Sequence, residues 1–346
     1  MSVMFQPNFT YTDKIVNNLI EITSARDTVL NAYIIPKWEV ALRREALIKA
    51  THASTAIEGN PLTLEEVSML AIGREITATQ KAKQEVLNYL KVLENIDRYQ
   101  EDGWITEEAV LKLHRNLTKD ALEHPGYEGR YRDMQVYVGN RMTGEVSFRP
   151  PPPEEIPSQM RDLIEWLNNQ SSELHPVMVA GITHYELVRI HPFVDGNGRA
   201  ARALATLVLY LRKFDIKQFF ALDDYYDSDR RSYYRALKSV DEEGDLTGWL
   251  EYFTSGILIS ITRVRERVLQ LSMERRKKES KGQIALTERQ MQILERIQQQ
   301  GRITAGEVAE MFDISRQAAL KELNKLVNLE VIELKGSGRG AHYIIV

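Results

Sequence analysis

Residues 191–202, HPFVDGNGRAAR, bring a histidine, a carboxylate, two glycines and two arginines together within twelve positions. His191 has an ordinary pKa of about 6.5, which suits proton transfer near neutral pH. Asp195 offers a hard oxygen ligand, and magnesium commonly takes one or two carboxylates together with phosphate oxygens and water. Arg199 and Arg202 are three residues apart, so a helix would place both on one face, where they can grip neighbouring phosphate groups.

The elements around this segment are predicted to place its charges at the start of a helix. Pro192 discourages continuation of the apolar helix that leads to His191, and Gly196 and Gly198 permit backbone conformations that other residues disfavour. A second helix is predicted to begin near Gly198 or Arg199, and its free N–H groups and its dipole favour a bound anion. Each feature alone is typical of an ordinary turn, but their combination on one loop favours a phosphate site.

The composition of the 346-residue chain indicates two or three globular domains. The absence of cysteine excludes disulfides, thiolate zinc sites and a cysteine nucleophile, and it fits a reducing cytoplasm. The N-terminus lacks a signal-peptide pattern, and no apolar run reaches about 18 residues, so we expect a cytoplasmic protein without a membrane span. The whole chain has a net charge of −4, whereas the part from Glu274 onward has 13 basic and 10 acidic residues. The tail is therefore a separate electrostatic unit.

Helical periodicity dominates the first three-quarters of the chain. Apolar stripes predict helices in the segments 79–96, 104–118, 155–169 and 173–190, and a buried helix follows Arg202. Thr106 is a predicted N-cap. Residues 130–157 instead carry short alternating segments around glycines and end in prolines, which predicts a β-hairpin. Taken alone, this hairpin is more typical of a surface excursion than of a strand edge that pairs with a partner peptide.

The C-terminal region has the pattern of a winged helix-turn-helix. It follows the charged stretch 273–283, which is either a linker or a solvated helix end. Thr287 with Gln290 and Thr304 with Glu307 form two predicted capping boxes, and Ser315 caps a third helix. Two alternating segments around a glycine-rich turn close the chain, as in the wing of such domains. DNA binding and protein docking are both open for this module.

The segment 191–202 matches the signature HPFx[DE]GNGRxxR of Fic-domain proteins at every fixed position. The resemblance extends over about the first three-quarters of the chain and includes LHRNLT at 113–118, the 130–157 hairpin and residues 233–253. It implies a mainly α fold, with a Fic-type helical bundle and a β-hairpin flap, followed here by the C-terminal winged helix-turn-helix. It also implies transfer of AMP from ATP to a serine, threonine or tyrosine hydroxyl of a target protein.

This resemblance implies a role for each residue of the segment. His191 would deprotonate the target hydroxyl, and Asp195 would hold Mg²⁺ between the α- and β-phosphates of ATP. Arg199 would contact the β-phosphate and Arg202 the γ-phosphate. The anion hole would be formed by Gly196, Asn197 and Gly198.

Two neighbouring tyrosines are candidates for adenine recognition. Tyr225 or Tyr226 could stack on the base, with core packing as the alternative for either ring. Asp229 occupies a position where the family often has an asparagine near the base.

A second motif lies upstream, in HASTAIEGNPLTLEE at residues 52–66. Ser54, Glu58 and Gly59 match the inhibitory-helix pattern [ST]xxxE[GN] of the same family. The resemblance implies that Glu58 pairs with Arg202 and withholds it from the γ-phosphate. A capping role for Glu58 is the alternative, and some relatives with this glutamate use it to direct water in removing AMP.

These patterns predict four segments: an N-terminal helical region with the inhibitory motif (1–105), a Fic core (106–256), a linker (257–283) and a winged helix-turn-helix (284–346). The expected partners are ATP, Mg²⁺ and a target protein whose extended, hydroxyl-bearing segment docks on the 130–157 hairpin. DNA is a further candidate through the tail, and we expect a homodimer without membrane contact. The competing functions are a DNA-binding regulator that senses nucleotide and a Fic enzyme that transfers phosphate or phosphocholine.

Overall fold

The computed structural model describes residues 5–32, 34–140, 145–214, 216–219, 221–279, 286–329 and 331–345. The chain divides into two compact units. The N-terminal unit consists of Met1–Leu30 and Ala46–Arg265, and the C-terminal unit consists of Asn31–Glu45 and Glu266–Val346. Within the described residues, no helix is both long and apolar enough to cross a membrane.

Helices make up most of the described chain, which confirms the predicted mainly α fold. Up to residue 279 they are α1 (Asp13–Asn31), α2 (Pro36–Ile57), α3 (Leu64–Ala71), α4 (Gln80–Glu94), α5 (Glu107–Thr118), α6 (Ile156–Glu165), α7 (Pro176–Ile190), α8 (Asn197–Leu211), α9 (Leu222–Ser228), α10 (Arg230–Glu243) and α11 (Thr247–Glu279). Helix α6 continues into a π-helical turn, Trp166–Gln170. Thr106 caps α5 as predicted, since its side chain accepts a hydrogen bond from the N–H group of Ala109.

Helices α7 and α8 form the centre of the N-terminal unit. Almost every side chain of α7 is buried, which is typical of a helix surrounded by others. Trp249 of α11 donates its indole N–H to the carbonyl of Gly181, at 2.8 Å. A Cβ atom at Gly181 would lie 3.0 Å from both Leu250 and Phe253, so the glycine permits this close packing. The loop between α7 and α8 is therefore anchored at both ends in the core.

The predicted β-hairpin is present, with β1 (Val138–Asn140) antiparallel to β2 (Glu145–Phe148). The first strand begins later than the alternation from Gln135 suggests. Side chains use the carbonyls of the preceding segment instead: Arg132 donates to Met134, and Gln135 donates to Val136. Residues 141–144, where the turn is predicted, lie outside the described residues.

The C-terminal unit contains α12 (Glu288–Gln300), α13 (Ala305–Met311), α14 (Arg316–Asn328) and the antiparallel pair β3 (Ile332–Lys335) and β4 (His342–Ile345). Both capping boxes and the Ser315 cap are formed as predicted, which confirms the winged helix-turn-helix. Of the charged stretch 273–283, residues up to Glu279 continue α11, and the remainder lies outside the described residues. Val40, from the 31–45 segment, is buried in this unit's core beside residues such as Ile293 and Leu323. The sequence pattern does not indicate that contribution.

Candidate active site

The end of α7 has an unusual backbone conformation at His191. This residue is left-handed, with φ 49° and ψ 57°, although it is not a glycine. The proline that follows disfavours a right-handed helical conformation at His191, so α7 ends there. Arg132 stabilises this left-handed conformation, because its Nε donates to the carbonyl of His191 at 2.8 Å. Such strain is common at functional sites.

The ring of His191 is set up to accept a proton. Its Nδ1 lies 3.2 Å from the carbonyl oxygen of Val188. A carbonyl can only accept a hydrogen bond, so Nδ1 carries the proton and Nε2 keeps the basic lone pair. Burial lowers the pKa of His191 below its ordinary value, partly offset by the Val188 contact. The imidazole is therefore neutral at neutral pH.

Asn197 holds the loop in shape. Its Oδ1 accepts the N–H of Phe193 and its Nδ2 donates to the carbonyl of the same residue, both at 2.9 Å. Phe193 is fully buried and stacks on His114, with ring centroids 3.6 Å apart. The predicted contribution of Asn197 to an anion hole would therefore come from its backbone N–H group, because its amide is occupied.

His114 of α5 supports the same loop and was not identified from the sequence. Its Nδ1 accepts the N–H of Gly129 at 3.0 Å, so the proton is on Nε2, which donates to the carbonyl of Asp195 at 2.9 Å. Burial, the largest effect, lowers the pKa of His114 to about 4. Gly196 lies against this side: its φ is 80°, and a Cβ there would be 2.9 Å from Thr118.

Arg132 is a second residue that supports the loop and that no sequence pattern indicates. Besides the carbonyl of His191, its guanidinium reaches the carbonyls of Met134 at 3.0 Å and Pro151 at 2.6 Å. Its backbone N–H donates to the carbonyl of Pro192 at 2.9 Å. One buried cation thus fastens both ends of the hairpin segment to the loop that carries His191.

The start of α8 is rich in hydrogen-bond donors. The helix begins at Asn197 with Gly196 as its N-cap, and the first N–H groups of a helix have no partner within it. The side chains of Arg199 and Arg202 are only 3% and 1% exposed. Among the described residues, Nε and Nη1 of Arg199 have no hydrogen-bond acceptor, although both are buried. Buried donors without acceptors indicate a place for an anionic ligand.

Arg202 is surrounded by oxygen atoms from the end of α2 and from α9. Its Nε donates to the Ser54 hydroxyl at 2.7 Å, and its Nη2 donates to Glu58 Oε1 at 2.7 Å. The structure therefore brings both Ser54 and Glu58 to Arg202, whereas the resemblance implied this pairing for Glu58 alone. On the other side, Asp223 Oδ1 lies 3.3 Å from Nε, and Tyr89 donates its hydroxyl to that carboxylate at 3.1 Å. Asp223 was not identified from the sequence.

The carboxylate of Glu58 occupies the space above Gly198, in the first turn of α8. A Cβ atom at Gly198 would collide with Glu58 Oε1 and would lie 3.1 Å from Arg202 Nη1. Helix α2 ends at Ile57, and Gly59 then takes a φ of 91°, which lets the chain turn away. Glu58 therefore lies beside the helix terminus, where a bound anion would be favoured.

Asp195 fits the role of a ligand for a cation shared with substrate. Its side chain is 42% exposed and lies 3.5 Å from Arg199 Nη2. Among the described residues, no group of three or more His, Asp or Glu side chains could hold a metal ion by itself. A cation at Asp195 would need further oxygen ligands, and phosphate and water supply these to magnesium.

The predicted adenine contacts have different environments. Tyr226 is fully buried and stacks on Tyr233 at 4.6 Å, as the core-packing alternative requires. Tyr225 is partly buried against Gly256, so it is the better placed of the two for a ligand. Asp229 caps α10 and accepts the N–H of Ser232 at 3.1 Å, which gives this carboxylate a structural role.

Comparisons with known proteins assign the two parts of the chain. Residues 104–209 match the model of the Fic/DOC family. Residues 289–339 match the DeoR-like helix-turn-helix domain. The Fic match contains α5, α7, the site loop and nearly all of α8, and the second match contains the helices and first strand of the winged domain. The predicted Fic-type bundle with a C-terminal helix-turn-helix is thus confirmed.

Curated relatives of the Fic domain are named as protein adenylyltransferases. The Nematostella vectensis protein adenylyltransferase Fic is 34% identical over 248 residues, which are 68% of this chain and 52% of that protein. The Caenorhabditis elegans protein adenylyltransferase fic-1 is 32% identical over 228 residues, 64% of this chain and 42% of its own. The chain thus spans about half the length of these relatives.

Solved structures resemble the fold over different lengths. A Fic family protein from Desulfovibrio desulfuricans has a TM-score of 0.66 and 25% identity, and the match covers 99% of this chain and 98% of that one. A Fic-domain signaling protein from Bacteroides thetaiotaomicron has a TM-score of 0.63 and 26% identity, covering 73% of this chain and 97% of that one. The Desulfovibrio match extends over almost the whole chain, including the C-terminal region.

Proposed function

We propose that the chain is a protein adenylyltransferase that transfers AMP from ATP to a serine, threonine or tyrosine hydroxyl of a target protein. The observation that carries this proposal is the start of α8, where helix N–H groups and two buried arginines lie next to the His191 loop. Phosphoryl chemistry depends mainly on positioning and on neutralising charge, and this arrangement offers both. The names of the curated relatives support the same reaction.

The residues of the site would divide the reaction between them. Arg199 would contact the β-phosphate and Arg202 the γ-phosphate. His191 would accept the hydroxyl proton on Nε2 while the hydroxyl oxygen attacks the α-phosphorus. A P–O bond to the target forms and the bond to the departing pyrophosphate breaks, so AMP remains on the target. Asp195 would hold Mg²⁺, which, when bound, neutralises charge on the phosphates.

The target segment would pair with the β1–β2 hairpin. A two-stranded sheet has unpaired backbone groups at its edges, and an extended peptide can add to such an edge. The side chains of Tyr137 and Val146 are exposed on this element and offer apolar contacts. Because Arg132 fastens the hairpin to the His191 loop, a segment paired there would lie at a fixed position relative to the base.

We further propose that Glu58 inhibits the enzyme. The ion pair with Arg202 at 2.7 Å supports this, since it occupies a donor that the γ-phosphate would need. Loss of this pair would let the triphosphate reach Arg202. The same glutamate is a candidate for directing water in AMP removal, which would make the protein bifunctional.

Intact-mass measurement after incubation with ATP and magnesium tests the reaction and its inhibition together. The Glu58→Gly variant should gain one AMP unit on itself, whereas the wild type should gain little. Adding His191→Ala should abolish the gain while nucleotide binding is retained, and His124→Ala, at an exposed histidine, is the matched control. Equal labelling of wild type and Glu58→Gly would refute the inhibition. A nucleotide sensor, by contrast, would show binding without any mass gain.

AMP removal has its own test. The substrate is a Glu58→Gly/His191→Ala protein that a separate, active Glu58→Gly copy has modified with AMP and from which that copy has been removed. This inert, AMP-modified protein is mixed with the wild type. Loss of the AMP mass in the presence of wild type, but not of a Glu58→Gln variant, would assign the reverse reaction to Glu58. A stable modification would leave inhibition as its function.

We propose that the C-terminal domain binds DNA through α14. The DeoR-like match supports this, and Arg316, Gln317 and Lys321 are exposed on that helix. Affinity for duplex DNA should fall steeply as salt rises, because phosphate contacts release counterions. Arg316→Glu should weaken binding, and Lys238→Glu in α10 serves as the control. No binding at low salt would instead favour a protein-docking role.

A further inference from the structure

Arg199 has a partly buried carboxylate beside it that belongs to neither the signature loop nor the Ser54–Gly59 motif. Glu85, on α4, places Oε1 3.5 Å from Arg199 Nη1, and the two side chains are only 15% and 3% exposed. An arginine at this distance is attracted by charge but does not form a well-made hydrogen bond. Among the described residues, Nη1 and Nε of Arg199 indeed have no hydrogen-bond acceptor. Glu85 thus offsets the charge of Arg199 while leaving its donors unused.

Asn60 fixes the position of Glu85. Its Nδ2 donates to Glu85 Oε2 at 2.9 Å and to the carbonyl of Ala82 at 3.0 Å. Its Oδ1 accepts the N–H of Leu62 at 3.2 Å, so both ends of this buried amide are engaged. Asn60 comes two residues after Glu58. One short stretch of chain therefore delivers Glu58 to Arg202 and holds Glu85 next to Arg199.

We propose that Glu85 is a second inhibitory carboxylate, which opposes phosphate binding at Arg199 and is held there by Asn60. The inference rests on the proposed nucleotide site and concerns its regulation. A negative charge a few ångströms from a bound phosphate in a partly buried site lowers the affinity for that phosphate. Release of Glu58 alone would accordingly leave one of the two arginines restrained.

Nucleotide binding without a target protein tests the inference independently of transfer activity. Calorimetry with AMP, ADP and ATP compares Glu58→Gly with Glu58→Gly/Glu85→Gln, since glutamine keeps an acceptor for Asn60 and removes the charge. We expect ADP and ATP to bind about tenfold more tightly to the double variant, and AMP, which lacks a β-phosphate, to be unchanged. Glu94→Gln, at an exposed residue of α4, is the matched control and should change none of the three affinities.

Asn60→Ala in the Glu58→Gly background is a second test of the inference. It keeps the side chains of Glu85 and Arg199 and removes the hydrogen bond that positions Glu85. This variant should also bind ADP and ATP more tightly than Glu58→Gly does, but by less than the Glu58→Gly/Glu85→Gln variant. Equal tightening of all three nucleotides would show that Glu85 does not act on the β-phosphate contact of Arg199. Unchanged or weaker ADP binding after Glu85→Gln would show that Glu85 does not oppose phosphate there. Either result would overturn the inference. Failure of every variant to bind ADP or ATP would instead overturn the nucleotide site itself.

Discussion

At the scale of single residues, Arg202 is a buried charge that is neutralised from two directions. Glu58 approaches it from the end of α2, and Asp223 approaches it from α9. Removing one partner of a buried ion pair commonly costs about 3–5 kcal/mol, because a charge is left unpaired. Here the second carboxylate remains after the first is lost. The protein can therefore release Glu58 without leaving Arg202 uncompensated.

This arrangement predicts a non-additive pair of substitutions. Glu58→Gly alone should lower the free energy of unfolding by less than about 3 kcal/mol, since Asp223 still neutralises Arg202. Glu58→Gly with Asp223→Asn should lower it by more than the sum of the single effects. Urea denaturation measures each value, and Asp224→Asn, at the adjacent and more exposed residue, is the control. Simple additivity would contradict the shared role.

The lowered pKa of His191 predicts the acidic limb of the pH profile. A general base works only when unprotonated, and burial keeps this ring neutral to a lower pH than an exposed histidine. Self-labelling of the Glu58→Gly variant should therefore fall with a midpoint below about 6.5 as the pH is lowered. Initial rates between pH 5 and pH 8, at saturating ATP, measure this midpoint. A midpoint above the ordinary histidine value would argue against His191 as the base.

His114 predicts a dependence of stability on pH. Its pKa is about 4 in the fold, whereas an unfolded histidine has about 6.5. The unfolded state binds more protons between these values, so the free energy of unfolding should fall as the pH drops through this window, by up to ~3 kcal/mol. His114→Gln should flatten that decline, and His124→Gln should not. Parallel pH curves for wild type and His114→Gln would contradict this assignment.

At the scale of elements, the hairpin and the loop that carries His191 are coupled by Arg132. Arg132→Lys keeps the charge but cannot make the several directed hydrogen bonds that the guanidinium makes to three carbonyls. We expect AMP transfer by the Glu58→Gly form to fall at least about tenfold, because hairpin and base would no longer be aligned. Arg130→Lys, at an exposed neighbour, is the control. Unchanged transfer by Arg132→Lys would show that the hairpin is positioned by other contacts.

The elements were largely predictable because their signals are local. The capping residues Thr106, Thr287, Thr304 and Ser315 act within four residues of themselves, and all four form the expected caps. The contacts that shape the site are instead long-range. Asp223 reaches a residue 21 positions away, and His114 reaches the carbonyl of Asp195 across 81 positions. Nothing in the spacing of these residues along the chain indicates such partners.

At the scale of the whole molecule, the described chain contains two units, and the sequence marks only part of the second. Capping boxes and strand alternation predict the winged helix-turn-helix from residue 287 onward. They do not reveal that residues 31–45 belong to it, because α2 reads as one continuous helix. Val40 joins the core of the C-terminal unit, and its carbonyl accepts from Gln298 at 3.4 Å.

The position of Val40 in the C-terminal core predicts that a substitution there destabilises helices more than 200 residues further along the chain. Val40→Ala should destabilise the C-terminal unit by about 1–3 kcal/mol, since it removes buried methyl groups from that core. Hydrogen exchange of the amides in α12 and α14 reads out this unit separately. Val16→Ala, at an exposed position of α1, should leave their exchange unchanged. Exchange that is equally slow in Val40→Ala would exclude the segment from this core.

The split origin of the C-terminal unit also constrains how the protein is made. Residues 31–45 leave the ribosome before the rest of their core, Glu266–Val346, because residues 46–265 are synthesised between the two parts. During that interval an apolar side chain such as Val40 remains exposed to solvent. Exposed apolar surface makes incompletely folded chains prone to aggregation. A chaperone that shields this short stretch would raise the yield of native protein, and a stop codon before Glu266 would leave Val40 without the rest of its core.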